Sequence, residues 1–195
     1  MEFLAPGIIA MSVMFTAVFS GIEIIWDKQF GFLKETLVAP VSRFNIMFGR
    51  TLGGATVAFI QGIVVLVITG FVGFHPVTSG IPLALVFMFL LAFFFTAFDT
   101  AIASKLDDMQ GFPLIINFIV MPLFFLSGAL FPITGLPTIF SYIVKLNPLS
   151  YAVDGIRGAL IGMHVFSFTT DGLVLVGITL LCLWAGAYLF SRIQA

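Results

Sequence analysis

The chain has 195 residues, of which 61% are hydrophobic and only 9% are charged. A soluble domain carries about 25% charged residues and cannot hide this much apolar surface in one small core, so the composition indicates a membrane protein. The net charge of −1 is uninformative about nucleic acid, but the sequence has no run of basic residues to bind it, so no nucleic-acid partner is expected.

Apolar stretches predict an all-α, polytopic membrane protein with five transmembrane helices in a single domain, residues 1–195. Residues 51–98 carry no charged side chain, and this run is far too long for one helix across a hydrocarbon core of ~30 Å at ~1.5 Å per residue. Turn residues in FHPVTSGIP at 74–82 divide it. The predicted spans are about 4–25, 50–73, 82–104, 109–131 and 172–191.

The distribution of Lys and Arg predicts the orientation of these helices. Six of the basic residues fall in segments that the span prediction puts on one side: Lys28, Lys34, Arg43, Arg50, Lys105 and Arg192. Lys145 and Arg157 are predicted on the other side. By the positive-inside rule the first side is cytoplasmic, so the N-terminus is predicted outside.

An amphipathic helix is predicted at about 26–40, on the cytoplasmic side. Trp26, Phe30, Leu33 and Leu37 recur at helical spacing on one face, while charged residues lie on another. Pro40 ends the pattern. One interpretation is a helix lying on the membrane surface; the other is a docking helix for a cytoplasmic protein, which the mixed charges favour over anionic lipid.

The outer segment at about 132–163 is too rich in Pro and Gly to span the membrane and too apolar to be a solvated loop. Asn147 and Pro148 separate two predicted short helices, 137–145 and about 149–161. This pattern predicts a re-entrant hairpin, with Tyr151 at the membrane interface. Asp154 and Arg157, three residues apart, are expected to form a stabilising ion pair; direct contact with the substrate is the other interpretation.

Catalytic and metal-binding patterns are lacking in the sequence. It has no Gly-Lys-Ser/Thr phosphate loop, no HExxH motif, and two isolated histidines. We therefore expect neither enzymatic activity nor a bound cofactor. Asp99 is a functional candidate for another reason. An acid within a membrane helix costs ~2.5–3.5 kcal/mol, so its presence there points to a role, here in the transport pathway.

Four stretches together resemble a known family. They are PGIIAM at 6–11, FGFLKETLVAPVSR at 30–43, IASKLDDMQGFPLIINFIVMPLFFLSGALFP at 102–132 and LNPLSYAVDGIR at 146–157. The chain resembles the membrane subunit of type-2 ATP-binding-cassette (ABC) exporters, of the daunorubicin-resistance and nodulation-factor exporter kind. SGALFP followed by NPLSYAVDGIR is the most specific part of the resemblance.

The resemblance implies a six-helix permease that forms a homodimer or heterodimer in the lipid bilayer and works with two separate ATPase subunits. It also implies an inner coupling helix and two outer re-entrant helices, at the positions derived above. The candidate ATPase-coupling residues are Lys28, Lys34, Glu35, Pro40 and Arg43; those of the outer hairpin are Asn147, Pro148, Tyr151, Asp154 and Arg157. With five predicted spans, the chain is expected to lack the family's first helix.

The sequence leaves two other functions open. An ion-coupled secondary transporter would use Asp99 and should show paired broken helices with an internal repeat, which the sequence lacks. A membrane anchor without transport activity would need no ATPase.

Overall fold

The computed structural model describes residues 2–32, 38, 40–106, 108–131 and 138–191, with backbone only for 138–141, 190 and 191. The described residues form helices, turns and bends, without strands, as the all-α prediction requires. The α-helices, numbered in chain order, are α1 Leu4–Phe19, α2 Ile22–Gln29, α3 Arg43–Phe71, α4 Ile81–Ala103, α5 Gly111–Phe125, α6 Thr138–Leu146, α7 Pro148–Ile161 and α8 Phe168–Ser191.

Four helical segments of the described chain are long and apolar enough to cross a membrane: Leu4–Gln29, Arg43–Phe71, Thr78–Ala103 and Phe168–Leu189. They correspond to four of the five predicted spans. The remaining predicted span, 109–131, contains a helix of only 15 residues, Gly111–Phe125. At ~1.5 Å per residue that helix is about 22 Å long, shorter than the ~30 Å hydrocarbon core.

Helix α4 occupies the centre of the bundle and packs against α1, α3, α7 and α8. It is apolar around most of its circumference, which is typical of a helix buried on several sides. Phe95, Met88 and Leu91 on this helix are fully buried. Helices α1, α3 and α8 bury one side and expose large apolar residues on the other, as lipid-facing helices do.

The first span consists of two helices. Around Ser20 and Gly21 the backbone bonds tighten to a three-residue spacing, from Glu23 N–H to Ser20 O and from Ile24 N–H to Gly21 O. A Cβ on Gly21 would collide with the Asp99 carboxylate, so the close approach of α4 explains why glycine stands here.

The predicted helix at 26–40 is not continuous. Helix α2 ends at Gln29, and Gly31 has a φ of 82°, a left-handed conformation that breaks a helix and that glycine adopts readily. Residues 26–29 therefore complete the first span. Residues 33–37 and 39, with Lys34 and Glu35, lie outside the described residues.

Helix α3 begins seven residues before its predicted start, because the Ser42 hydroxyl caps it by accepting a hydrogen bond from Asn45 N–H.

Candidate functional site

Three segments meet at the end of the bundle that the Lys/Arg distribution predicts to be cytoplasmic. The Lys28 ammonium donates hydrogen bonds to the carbonyl oxygens of Ala103, Ser104 and Leu106, at 3.3, 2.8 and 3.0 Å. All three carbonyls lie at or just beyond the C-terminal end of α4, where the regular backbone donors of a helix run out. Lys28 thus caps α4 and ties it to the end of α2, a role that its sequence position did not reveal.

A second connection joins α2 to α3. Arg50 forms an ion pair with Asp27, and both side chains are about one quarter exposed, at 24% and 27%. Together with Lys28, this pair fixes the last turn of α2 to two neighbouring helices. The chain that leaves α2 at Phe30 therefore begins from a firmly held position.

The predicted coupling residues are found in three different settings. Lys28 is engaged within the bundle, as described above. Pro40 is exposed, and Arg43 is the first residue of α3 and partly buried. Lys34 and Glu35 are outside the described residues, so their predicted role in docking stays a prediction.

A cavity of about 330 Å³ opens beside these connections, between α1, α2 and α3. Its lining combines hydroxyl, charged, glycine and apolar residues: Thr16, Phe19, Ser20, Glu23, Ile24, Arg50, Gly53, Gly54, Val57 and Thr100. Nothing in the sequence pattern pointed to this cavity, because its residues come from four separate helical segments. Its volume falls within the range of small-molecule pockets.

Asp99 lies behind the wall of this cavity, with no exposed surface. Its Oδ2 is 3.4 Å from the Ser20 hydroxyl, which makes a shorter bond of 2.7 Å to Ala17 O, and its Oδ1 has no hydrogen-bond partner among the described residues. Asp99 forms no ion pair with any of the described residues. Its predicted place in a transport pathway is untested, and in this conformation the side chain does not line the cavity.

Helix α7 organises the opposite end of the bundle, where the outer hairpin was predicted. Asn147 caps it: Oδ1 accepts from Leu149 N–H at 3.0 Å, and Nδ2 donates to Leu123 O at 2.6 Å. Pro148 follows at the first helical position, which needs no backbone donor. All residues from Leu149 to Leu160 are buried, so this helix is inserted among α1, α4 and α8 and does not lie on a lipid surface.

Tyr151 is buried as well, and its predicted position at the membrane interface stays a prediction. Its ring stacks on Phe166 with centroids 4.9 Å apart, and its hydroxyl donates to Lys145 O at 2.6 Å. Burial, and secondarily the charge of Asp171, raise the pKa of this phenol above its ordinary value. The hydroxyl therefore stays a hydrogen-bond donor that links α7 to the end of α6.

The predicted ion pair between Asp154 and Arg157 is not formed. Asp154 accepts bonds of 2.7 to 2.9 Å from the backbone N–H groups of Val165 and Phe166. Arg157 donates to the carbonyl oxygens of Gly128 and Ala129, at 2.8 and 3.2 Å. The prediction considered only helical spacing, whereas both side chains bind backbone groups of separate loops, which no local pattern encodes.

Arg157 also stacks on Phe3, with its guanidinium carbon 4.0 Å from the ring centroid. Burial lowers the pKa of this guanidinium, and the nearby charge of Asp154 partly offsets that effect. The two charged residues of α7 thus contact three segments: the Phe3 ring at the start of α1, the backbone after α5 and the backbone before α8.

Close packing around α7 depends on glycine at two contacts. A Cβ on Gly80 would collide with the carbonyl oxygen of Ala159, and a Cβ on Gly155 would lie 2.5 to 2.7 Å from the ring of Phe87. Gly162 ends the helix in the left-handed conformation, with φ 74°, and its N–H donates to Gly158 O at 2.9 Å. Small residues of this kind permit close helix approach in membrane proteins.

Comparison with known proteins gives this architecture a family. A sequence model described as ABC-2 type transporter matches residues 1–161. A transport permease named ycf38 from Cyanophora paradoxa is 32% identical over 80% of this chain and 55% of its own length. An inner membrane transport permease, YadH from Escherichia coli, is 31% identical over 90% of this chain and 69% of its own length.

Nodulation protein J from Sinorhizobium fredii is 26% identical over 94% of this chain and 68% of its own length. The chain spans about half the length of the ycf38 permeases that it matches, and about two thirds of the other two relatives. The family match covers most of the chain, including α1 to α7. The relative named as an inner membrane transport permease agrees with the four apolar spans found among the described residues. The chain is therefore a multi-pass membrane protein that belongs to the ABC-2 type transporter family.

Proposed function

We propose that the chain is the permease subunit of an ABC exporter: it forms part of the substrate pathway and is driven by ATP hydrolysis on a separate subunit. The observation that carries the proposal is the family match over residues 1–161, together with relatives named transport permeases. The sequence has no phosphate-binding loop of its own. In the proposed assembly a separate ATPase subunit hydrolyses ATP, and a second permease subunit completes the transporter.

The inner end of the bundle supports coupling to such a partner. The segment after Gln29 follows directly on a helix end that Lys28 ties to α4 and that Asp27 ties to Arg50 of α3. Displacement of this segment by an ATPase would pull on the first three spans together. The segment carries Lys34, Glu35 and Pro40, and we propose that it docks on the ATPase.

The outer end supports a role for α7 in closing the pathway. Its two charged residues and its cap hold the segments around it, and a helix buried over nearly its whole length cannot move without repacking α4 and α8. We propose that 132–163 closes the exit of the pathway in the resting state. Asp154 and Arg157 hold this closure in place and do not contact the substrate.

The test is reconstitution of this chain with a separately expressed ABC ATPase subunit. Vesicles that contain both proteins should take up substrate and hydrolyse ATP faster than vesicles that contain the ATPase alone, and vesicles with this chain alone should do neither. An inactive ATPase variant lacking its catalytic carboxylate is the control for energy coupling. Uptake driven by an ion gradient without ATP would contradict the proposal and favour a secondary transporter.

A further inference from the structure

We propose that the cavity between α1, α2 and α3 binds the protonated amine of an amphiphilic molecule at the inner face of the membrane. That this molecule is the exported substrate rests on the proposed function, whereas its binding does not.

The charge balance of the lining favours a cation. Glu23 is exposed at the rim and makes no ion pair among the described residues. Among the described residues the lining contains a single cation, Arg50, whose charge is neutralised by Asp27. An unpaired carboxylate beside a neutralised pair attracts an ammonium group and repels a phosphate or carboxylate.

The hydroxyl groups on the wall can accept hydrogen bonds from an ammonium. The Ser20 hydroxyl uses its proton on Ala17 O, which leaves its oxygen lone pairs as acceptors. Thr16 adds a second hydroxyl oxygen to the same lining. An alcohol or acetylated amine lacks the charge that would pair with Glu23.

The other part of the lining is apolar. Phe19 and Val57 line the cavity, and both side chains are exposed. An alkyl chain can therefore leave the cavity along apolar side chains and lie in the lipid. This arrangement fits a molecule with one cationic end and one apolar end.

Two neighbouring glycines of α3 give the cavity its shape. A Cβ on Gly54 would lie 2.8 Å from the Ser20 hydroxyl oxygen, so this position allows α3 to approach α1 closely. Gly53, in contrast, has no atom within 4 Å of a Cβ placed on it, and it lines the cavity. A large side chain at Gly53 can enter this open space without displacing the helices.

The experiment uses photolabelling of the full chain in nanodiscs of neutral phosphatidylcholine. The probe is a long-chain alkylamine with a diazirine near the amine, and the labelled peptides are identified by mass spectrometry. We expect saturable labelling of α3 near Val57, which excess unlabelled alkylamine prevents. The alkyl alcohol and the alkyl phosphate of equal chain length should not compete.

Variants test the site. Gly53→Phe should abolish saturable labelling, whereas Gly70→Phe should retain it; Gly70 is in the same helix, and a Cβ there likewise meets no atom within 4 Å. Glu23→Gln should weaken competition by the amine about five-fold, as expected for one partly screened charge pair. Glu2→Gln, an exposed acid that does not line the cavity, is its control.

Several outcomes would overturn the proposal. Equal competition by the alcohol would identify the cavity as a site for acyl chains, and competition by the phosphate would identify a site for anionic headgroups at Arg50. Unchanged labelling in Gly53→Phe would place the probe elsewhere. Saturable labelling with the expected variant pattern, but without ATP-driven uptake in vesicles, would support the amine site while contradicting the proposed exporter function.

Discussion

Replacing Arg157 should be the most damaging single change in the outer part of the structure. Arg157→Gln removes two hydrogen bonds from a charged donor, each contributing ~1.5–3 kcal/mol, and a cation–π contact of ~0.5–2 kcal/mol. The arginine is only 5% exposed, so water cannot easily replace these contacts. Part of this loss of stability is offset, because the substitution also removes the free-energy cost of burying the charge of Arg157. We therefore expect the free energy of unfolding to fall by about 3–5 kcal/mol.

The measurement is reversible unfolding in mixed micelles by titration with dodecyl sulfate. Lys145→Gln is the matched control, since Lys145 is an exposed cation on α6 at the same end of the bundle, and its replacement should cost under ~0.5 kcal/mol. A loss below ~1 kcal/mol in Arg157→Gln would show that the contacts to Gly128 and Ala129 do not stabilise the protein.

The exchange of the two charges tests which partners these residues use. If Asp154 and Arg157 formed a direct pair, the double variant Asp154→Arg, Arg157→Asp would restore much of the lost stability. The structure predicts the opposite, because the exchange places a carboxylate against the carbonyl oxygens of Gly128 and Ala129 and a guanidinium against two N–H groups. The double variant should be at least as unstable as Arg157→Gln. Recovery of more than half of the loss would refute this reasoning.

Three further predictions concern orientation, coupling and the end of α7. In a Cys182→Ser background, Lys34→Cys should react only with reagents that cross the membrane, and Thr78→Cys should also react with impermeant ones; labelling of both from outside would contradict the orientation. Reversing both charges at Lys34 and Glu35 should abolish ATP-driven transport while insertion is unchanged, with more effect than either single change, so retained transport would exclude docking there. Gly162→Ala should lower the free energy of unfolding by about 1 kcal/mol, because its φ of 74° strains a side chain; an unchanged value would mean that the backbone relaxes.

Much of the fold could be predicted because its signals are local. Uncharged runs mark the long spans, and Asn147-Pro148 marks the start of α7 within one residue of its observed position. The break at Asn147-Pro148 also predicted that the outer segment would form two short helices. These signals act through backbone geometry and burial, which depend on residues close together in the sequence.

The site could be predicted only in part, because its contacts join distant residues. Lys28 binds carbonyls about 75 positions away, and Arg157 binds carbonyls almost 30 positions before it. A charge three residues from another on a helix suggests a pair, but a buried backbone group can offer each charge a better partner. The cavity was missed for the same reason, since no single helix contains more than a few of its lining residues.

Asp99 separates the two transport mechanisms that the sequence left open. An ion-coupled transporter needs the carboxylate, so Asp99→Asn would abolish transport even in a stable protein. In an ATP-driven permease we expect transport to persist, because the amide keeps the shape of the side chain and Nδ2 can donate to the Ser20 hydroxyl oxygen, 3.4 Å from Oδ2 in the structure. Stability should stay equal or rise, since an acid in a membrane helix costs ~2.5–3.5 kcal/mol. The assay compares ATP-driven uptake with the free energy of unfolding for both proteins. Loss of uptake with unchanged stability would show that the acid itself takes part in transport, and the expectation that an amide can replace it would then be wrong.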